Sequence, residues 1–237
     1  MSPGISTRRV EAETLDHLPE DDPRAIRSRR DLRRINRIMG NISIVDALLS
    51  DSLARPPSRI AELGAGDGSQ ALRLAERRAR DWPAVTLTLV DQQDLLSPQT
   101  RAAFGNLGWT VHTAVMDVFA WLERDDHPRY DAVIANLFVH HFEAEALSRL
   151  LRAIARITDC FVACEPRRAQ VALLGSHLVG FVGANAVTRR DSVLSVRAGF
   201  RDRELSAHWP DERGWQLTET SARLFSHTFA AVRRAHT

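Results

Sequence analysis

Lysine does not occur in this chain: all 32 of its Lys+Arg residues are arginine. That absence excludes a Schiff-base lysine, a pyridoxal-phosphate anchor and a Ser–Lys catalytic pair. It also excludes a P-loop, whose motif ends in Lys followed by Ser or Thr. The simplest source of the bias is base composition, since arginine has G/C-rich codons. Cysteine is scarce as well. Cys160 and Cys164 lie four apart in CFVAC, on one face of a strand but too far apart to bridge easily. They read as two free, buried thiols in a reducing cytoplasm. Long apolar runs are missing. The N-terminal stretch has no apolar core of a signal peptide, and nothing approaches the ~20 residues of a membrane span. The chain is expected to be cytoplasmic, with no membrane partner. No sign of charge dominates: 32 basic against 30 acidic residues leave +2, too balanced to argue for nucleic acid.

What is present is ordinary globular composition, 44% hydrophobic and 26% charged over 237 residues. A chain of this size buries a core without disulfides or metal. Residues 1–23 are polar, with Pro19 and Pro23 around Glu20-Asp21-Asp22, and read as a loose arm. From Arg24 the spacing is helical, with Ile26, Leu32, Ile35, Ile38 and Met39 on one face. Gly40 ends that helix and NISIVDALLSDSL (41–53) begins another. Strand and helix then alternate. Strands are expected at 59–63, 85–91, 109–117, 130–139 and 159–166. Helices are expected at 69–81, 95–108 and 143–157. This order predicts a doubly wound, parallel α/β sheet with ligands at the carboxyl ends of its strands. Beyond Pro166, residues 167–183 and 189–200 read as helices, Pro210–Gly214 as a turn, and 215–234 as two strands. The resulting division is an N-terminal arm with helices (1–54), a core (55–165), a helical lid (166–211) and a C-terminal strand pair (212–237).

The most specific motif is Glu62-Leu63-Gly64-Ala65-Gly66-Asp67-Gly68, after the first strand and before a helix. Closely spaced glycines let the backbone turn sharply and approach a ligand. The spacing is G-x-G-x-G, whereas a dinucleotide site has G-x-G-x-x-G. Glu62 and Asp67 beside the loop suit a ligand carrying positive charge rather than a pyrophosphate. Asp91 ends the second strand, where an acid accepts hydrogen bonds from both hydroxyls of a ribose. Asp117 follows the third, where an acid can accept an adenine amine. Together these describe an adenosine with a cationic amino-acid end, the shape of S-adenosylmethionine (SAM).

In ELGAGDG (62–68), LVDQQ, MDVF and YDAVIANLFVHHF (130–142) the chain resembles the class I SAM-dependent methyltransferases. The resemblance spans about residues 55–165, and the two tail strands fit the family's final hairpin. It implies a mostly parallel, Rossmann-like seven-stranded sheet with N-terminal helices and a helical acceptor lid after the fifth strand. It further implies SAM as cofactor and S-adenosylhomocysteine (SAH) as product. By motif position, Gly64, Ala65, Gly66 and Gly68 would line the methionine and ribose, and Glu62 the amino-acid end. Asp91 and Gln92 would hold the ribose, Asp117 and Val118 the adenine. Asn136 and Leu137 would lie near the methyl donor. NLFVHHF, CEPRR and NAVTRRDSVLSVRAGF further resemble small-molecule methyltransferases of secondary metabolism acting on phenolic, quinone or polyketide-type acceptors.

Methyl transfer from a sulfonium requires the acceptor in line with the methyl, and a phenol gains from a base. His140 and His141 follow the fourth strand. Adjacent side chains diverge, so one of the two is expected to face the pocket. His141, on the side of Val139, is favoured as the catalytic group; a structural role capping the next helix is the other reading. For the same reason the pair is a poor metal site, and no metal is expected. Substrate-binding candidates are Glu165, Arg167, His177 and Arg197. Asn185, Arg190 and Asp191 are further polar possibilities, and Leu174, Leu178, Phe181, Val187 and Phe200 could line an aromatic pocket. The arginines of the first helix fit a solvated face, a lid over SAM through Asn36 or Arg37, or RNA contact. The expected function is methylation of a small aromatic acceptor at a hydroxyl oxygen, by a monomer or homodimer. The alternatives are a SAM-fold binding protein without methyl transfer, or N- or C-methylation. The Asn-Pro-Pro-Tyr signature of amide and base nitrogen methylation is absent; Asn136-Leu137-Phe138-Val139 stands there.

Overall fold

A computed structural model describes residues 5–210 and 213–234. One seven-stranded sheet runs through it: β1 (Arg59–Leu63), β2 (Thr86–Asp91), β3 (Thr110–Val115), β4 (Ala132–Asn136), β5 (Cys160–Pro166), β6 (Trp215–Ala222) and β7 (Ser226–Arg233). The order is β3-β2-β1-β4-β5-β7-β6. Strands β1 to β5 pair in parallel, and β7 inserts antiparallel between β5 and β6. From β1 the chain builds outward to β3, then returns to place β4 on the other side of β1. A crevice therefore opens above the carboxyl ends of β1 and β4, where ligands bind in such sheets.

Burial explains which strands read as continuous apolar runs. Every residue of β5 is buried, as is β1 after Arg59, because helices cover both faces. Alternate residues feed two cores. Ala61 and Leu63 point into one with Leu147, Leu150 and Ile154; Ile60 points into the other with Leu49, Leu74 and Leu87. The edge strand β6 alternates instead.

The helices start and stop on local signals. Asp22 accepts the N–H of Arg24 and Pro23 opens α1 (Pro23–Met39), which ends at Gly40 in left-handed geometry. Then come α2 (Asn41–Ser52), α3 (Ser69–Arg78), α4 (Pro98–Asn106), α5 (Val118–Leu122) and α6 (Ala144–Ile157). The segment after β5 is helical: α7 (Gln170–Leu178), α8 (Ala186–Ala198) and α9 (Glu204–His208). Asn185 is committed to capping α8, accepting from Thr188 N–H. The expected turn at 210–214 lies partly outside the described residues. No helix among the described residues is long and apolar enough to cross a membrane. Both cysteines are free and buried, and burial pushes each thiol up to about 12.

Two expectations change. The fourth strand stops at Asn136; Leu137 takes φ +56°, and Val139–His141 form a 3-10 turn. The two histidines therefore lie beyond the strand, and strand alternation does not separate them. Over its described residues the arm is not loose either. Arg8 donates to the carbonyls of Ala198, Phe142 and His140 at 2.7–2.9 Å. Arg168 reaches the carbonyls of Ile5 and Ser6, and Asp191 accepts the N–H groups of Thr14 and Leu15 at 3.0 Å. Sequence polarity hides this, because the arm is held by hydrogen bonds to its backbone and by Arg8 rather than by apolar side chains.

Candidate functional site

A cavity of about 720 Å³ fills the crevice above β1, β2 and β4. Its floor is the glycine loop, where Gly64 (φ +65°) and Gly66 (φ +55°) take the left-handed region. A Cβ at Gly64 would stand 2.2 Å from the Phe138 ring. A Cβ at Gly66 would meet no protein atom within 4 Å, so backbone there is bare toward a ligand. Gly68 does not line the cavity. It faces Leu89 and Leu96 and begins α3, so its role is packing and turn geometry.

The carboxylates beneath the loop hold it open. Asp91 Oδ2 accepts Gly66 N–H at 2.8 Å and Oδ1 accepts Gln93 N–H at 3.0 Å, which leaves lone pairs free for hydroxyls. Asp117 caps α5 through Phe119 and Ala120 N–H and receives Gln92 Nε2 at 3.3 Å. Met116 and Val118 flank it as apolar walls, and Leu137 lines the cavity beside Asn136. Asp67 caps Ser69 and takes Arg33 of α1 at 2.5 Å.

Glu62 has no such relief. It is buried, Oε2 has no partner, and burial, with Asp67 and Asp91 nearby, pushes its carboxyl up to about 8. Asn36 Oδ1 and Asn136 Oδ1 are also buried without partners, and all three residues line the cavity. Unpaired buried acceptors are costly. An ammonium, with three donors and a positive charge, answers that deficit. The residues thus fit the amino-acid end and the ribose of SAM. Among the first-helix readings, the lid over the ligand matches the geometry: Leu32, Arg33, Ile35 and Asn36 wall the cavity, whereas Arg37 does not line it.

The opposite end is built by three distant segments. The Val139–His141 turn brings the rings of His140 and His141 to 4.2 Å between centroids, the reverse of the divergence expected for adjacent residues. His140 is buried, with Nδ1 2.7 Å from Glu165 Oε2 and Nε2 3.5 Å from Glu13 Oε1. Burial opposes its charge, but Glu13 and Glu165 outweigh burial and raise it to about 9. His141 lies 3.4 Å from Asp16; burial and then the charge on His140 lower it to about 4. Burial, reinforced by Glu13, lifts Asp16 to about 6. Both histidines line the cavity.

The substrate candidates fare differently. Glu165 is fully buried and accepts the backbone N–H of Phe138 and Val139 at 3.0 Å. It clamps the histidine turn rather than facing a ligand. Arg167 pairs by backbone with Phe200 and Phe225, and the buried arginine is its neighbour Arg168. His177 is exposed, and Arg197 does not reach the cavity. Of the apolar candidates Leu178 lines it, Phe200 is core, and Leu174 and Phe181 are exposed. Glu13, Asp16 and Arg8 also build this end and belong to no motif. The only local signal for the two acids is their spacing, three apart in a polar arm, and Arg8 has none.

Residues 60–159 match the methyltransferase domain family. Uncharacterised methyltransferases of Mycobacterium bovis and Mycobacterium tuberculosis are 35% identical over 107 residues, 44% of this chain and 49% of theirs. The chain thus matches about half the length of these relatives. Among solved structures, the plantazolicin methyltransferase in complex with SAH superposes with a TM-score of 0.66 at 12% identity, covering 90% of this chain and 92% of that one. The Synechocystis magnesium protoporphyrin IX methyltransferase with bound SAH gives 0.51 at 15% identity, covering 93% and 91%. A putative O-methyltransferase of Nostoc punctiforme gives 0.56 at 14%, covering 81% and 55%. These likenesses are of fold, and the fold is that of the methyltransferases.

Proposed function

We propose that this chain, whose residues 60–159 match the methyltransferase domain family, is a class I SAM-dependent methyltransferase that methylates a small, largely apolar acceptor at a hydroxyl oxygen. The observation that carries SAM binding is the buried, unpartnered Glu62 carboxyl under an open glycine loop. SAM supplies an electrophilic methyl on its sulfonium. Glu62 takes the ligand's ammonium, Asp91 its ribose hydroxyls, and Asp117 the adenine between Met116 and Val118. Phe138, wedged against Gly64, and Asn136 set the position of the methyl.

The acceptor reading rests on the lid. The cavity-lining residues from 166 to 200 include Ala172, Ser176, Leu178, Val179, Val182 and Val196, and none is charged. Such a wall favours a neutral aromatic body over an anion. The hydroxyl is directed to His141, with His140 held behind it by Glu165 and Glu13. Its proton has to leave for the oxygen to attack, and this cluster is where it leaves.

Calorimetry with SAH tests the cofactor reading. Binding is expected for the wild type and weakened for Glu62→Gln; no heat with SAH or SAM overturns it. Release of SAH on addition of hydroxylated aromatic compounds tests transfer. SAH binding without any such release would favour a binding protein instead.

A further inference from the structure

We infer that Glu13, His140 and His141 form a site for one divalent transition-metal ion of the zinc type, placed to hold the acceptor's hydroxyl oxygen. Each offers one ligand atom, and these atoms all lie within 4.8 Å of one another. His140 Nε2 and Glu13 Oε1 are 3.5 Å apart. Two ligands bonded at about 2.0–2.1 Å to a tetrahedral ion stand about 3.4 Å apart, so this pair already has the spacing.

The surroundings are those of a ligating histidine. Ligating imidazoles donate their second ring N–H to a carboxylate, which fixes the tautomer and turns the other lone pair toward the ion. Glu165 Oε2 receives His140 Nδ1 at 2.7 Å. The remaining nitrogen, Nε2, is buried and has no hydrogen-bond partner. Glu165 is itself fixed by the backbone N–H groups of Phe138 and Val139. Asp16 stands beside the second ring, 3.4 Å from His141 Nδ1. Three carboxylates around two imidazoles supply the negative charge that a divalent cation neutralises. Two imidazoles and a carboxylate suit zinc, manganese or iron(II) rather than magnesium.

The cluster is held in place from both sides. Glu13 belongs to an arm pinned by Asp191 at Thr14 and Leu15. Arg8 ties that arm to the carbonyls of His140 and Phe142. Ser195 of α8 donates to Glu13. Arm, turn and lid therefore hold the three ligands together.

The metal site deepens the methyltransferase reading and rests on it for the acceptor alone. An ion held by three protein ligands leaves an open position on the cavity side. With both imidazoles bound to the ion, neither takes the proton: a hydroxyl at the open position is more acidic than when free, and its proton passes to solvent on binding. The resulting oxyanion attacks the methyl carbon: the O–C bond forms, the C–S bond breaks with its electrons going to sulfur, and the products are a neutral ether and SAH. The ether is a poor ligand and leaves.

The test uses the full chain, stripped with chelator and titrated with zinc chloride by calorimetry and with cobalt(II) followed by visible absorption. One ion per chain is expected, with a tetrahedral-type cobalt band and proton release on binding. Glu13→Gln, His140→Ala and His141→Ala should each weaken binding at least tenfold. SAH binding is measured on the same samples and shows which variants remain folded. SAH binding without stoichiometric ion binding overturns the metal site and leaves the methyltransferase reading standing. Ion binding undiminished in all three folded variants also overturns it. Ion binding without SAH binding overturns the methyltransferase reading instead.

Discussion

The two ends of the cavity are made differently. The cofactor end is assembled from loops directly following β1, β2, β3 and β4, each carrying its own acid or amide at the strand terminus. The end proposed for the acceptor joins the arm near residue 13, the turn at 139–141 and Glu165, three segments far apart in the chain, with α8 packed behind the arm. At the first end the backbone approaches the ligand and side chains need only short reaches. At the second, every functional side chain is held by another segment. The cofactor end is therefore local and tolerant, while the acceptor end is cooperative: loosening one of its segments should disturb the rest.

Glu165→Ala strikes that cooperativity hardest. It removes a buried carboxylate that accepts two close backbone N–H bonds and His140 Nδ1. Breaking such a buried pair is expected to destabilise by about 3–5 kcal/mol in urea unfolding; a loss under about 1 kcal/mol, the size of an ordinary surface change, would show that the end is not cooperative. Asp91→Ala tests the other end. It should weaken SAH binding by roughly 10–150-fold, the worth of about 1.5–3 kcal/mol of charge-assisted hydrogen bonds, with a smaller stability change than Glu165→Ala.

Asp191→Ala separates the ends. Hydrogen exchange at Thr14 and Leu15 should lose protection and the arm should become open to protease, while SAH affinity falls less than in Asp91→Ala. An unchanged exchange pattern would mean that the arm is held without Asp191. A further test concerns pH. The folded Glu62 carboxyl, near 8, lies above its ordinary 4.5. Its contribution to stability is therefore fully present below pH 4.5 and lost as pH rises through about 8. Glu62→Gln should flatten that fall in the ligand-free protein. Near pH 7, SAM binding to the wild type should release a proton, seen as a buffer dependence of the calorimetric heat that the variant lacks.

Much of the cofactor end is legible in the sequence alone. The glycine spacing, Asp91 and Asp117 mark it because turn chemistry and strand-end acids act over a few residues. Gly68 is legible as a glycine but not in its role, since packing against Leu89 and Leu96 depends on β2 and the approach to α4. His140 and His141 are located by their position after a strand, yet strand alternation does not orient them. A left-handed Leu137 and a 3-10 turn bring the rings together. Glu165 stands out as a charged residue ending a buried strand; that it serves backbone amides 25 to 27 residues away is not readable. Arg167 and Arg168 are adjacent and alike in sequence, and only burial distinguishes them.

Local sequence is enough to dictate the alternation of strands and helices, the parallel core, and a cradle for an adenosine bearing a cation, because each follows from periodicity or from a few contiguous residues. Tertiary packing brings a polar arm to the cavity, turns two adjacent histidines toward each other, and sets a first-helix face as a wall of the cavity. Those outcomes rest on hydrogen bonds and charge contacts between segments up to 190 residues apart, such as Arg8 to Ala198, and no local pattern encodes a partner at that distance.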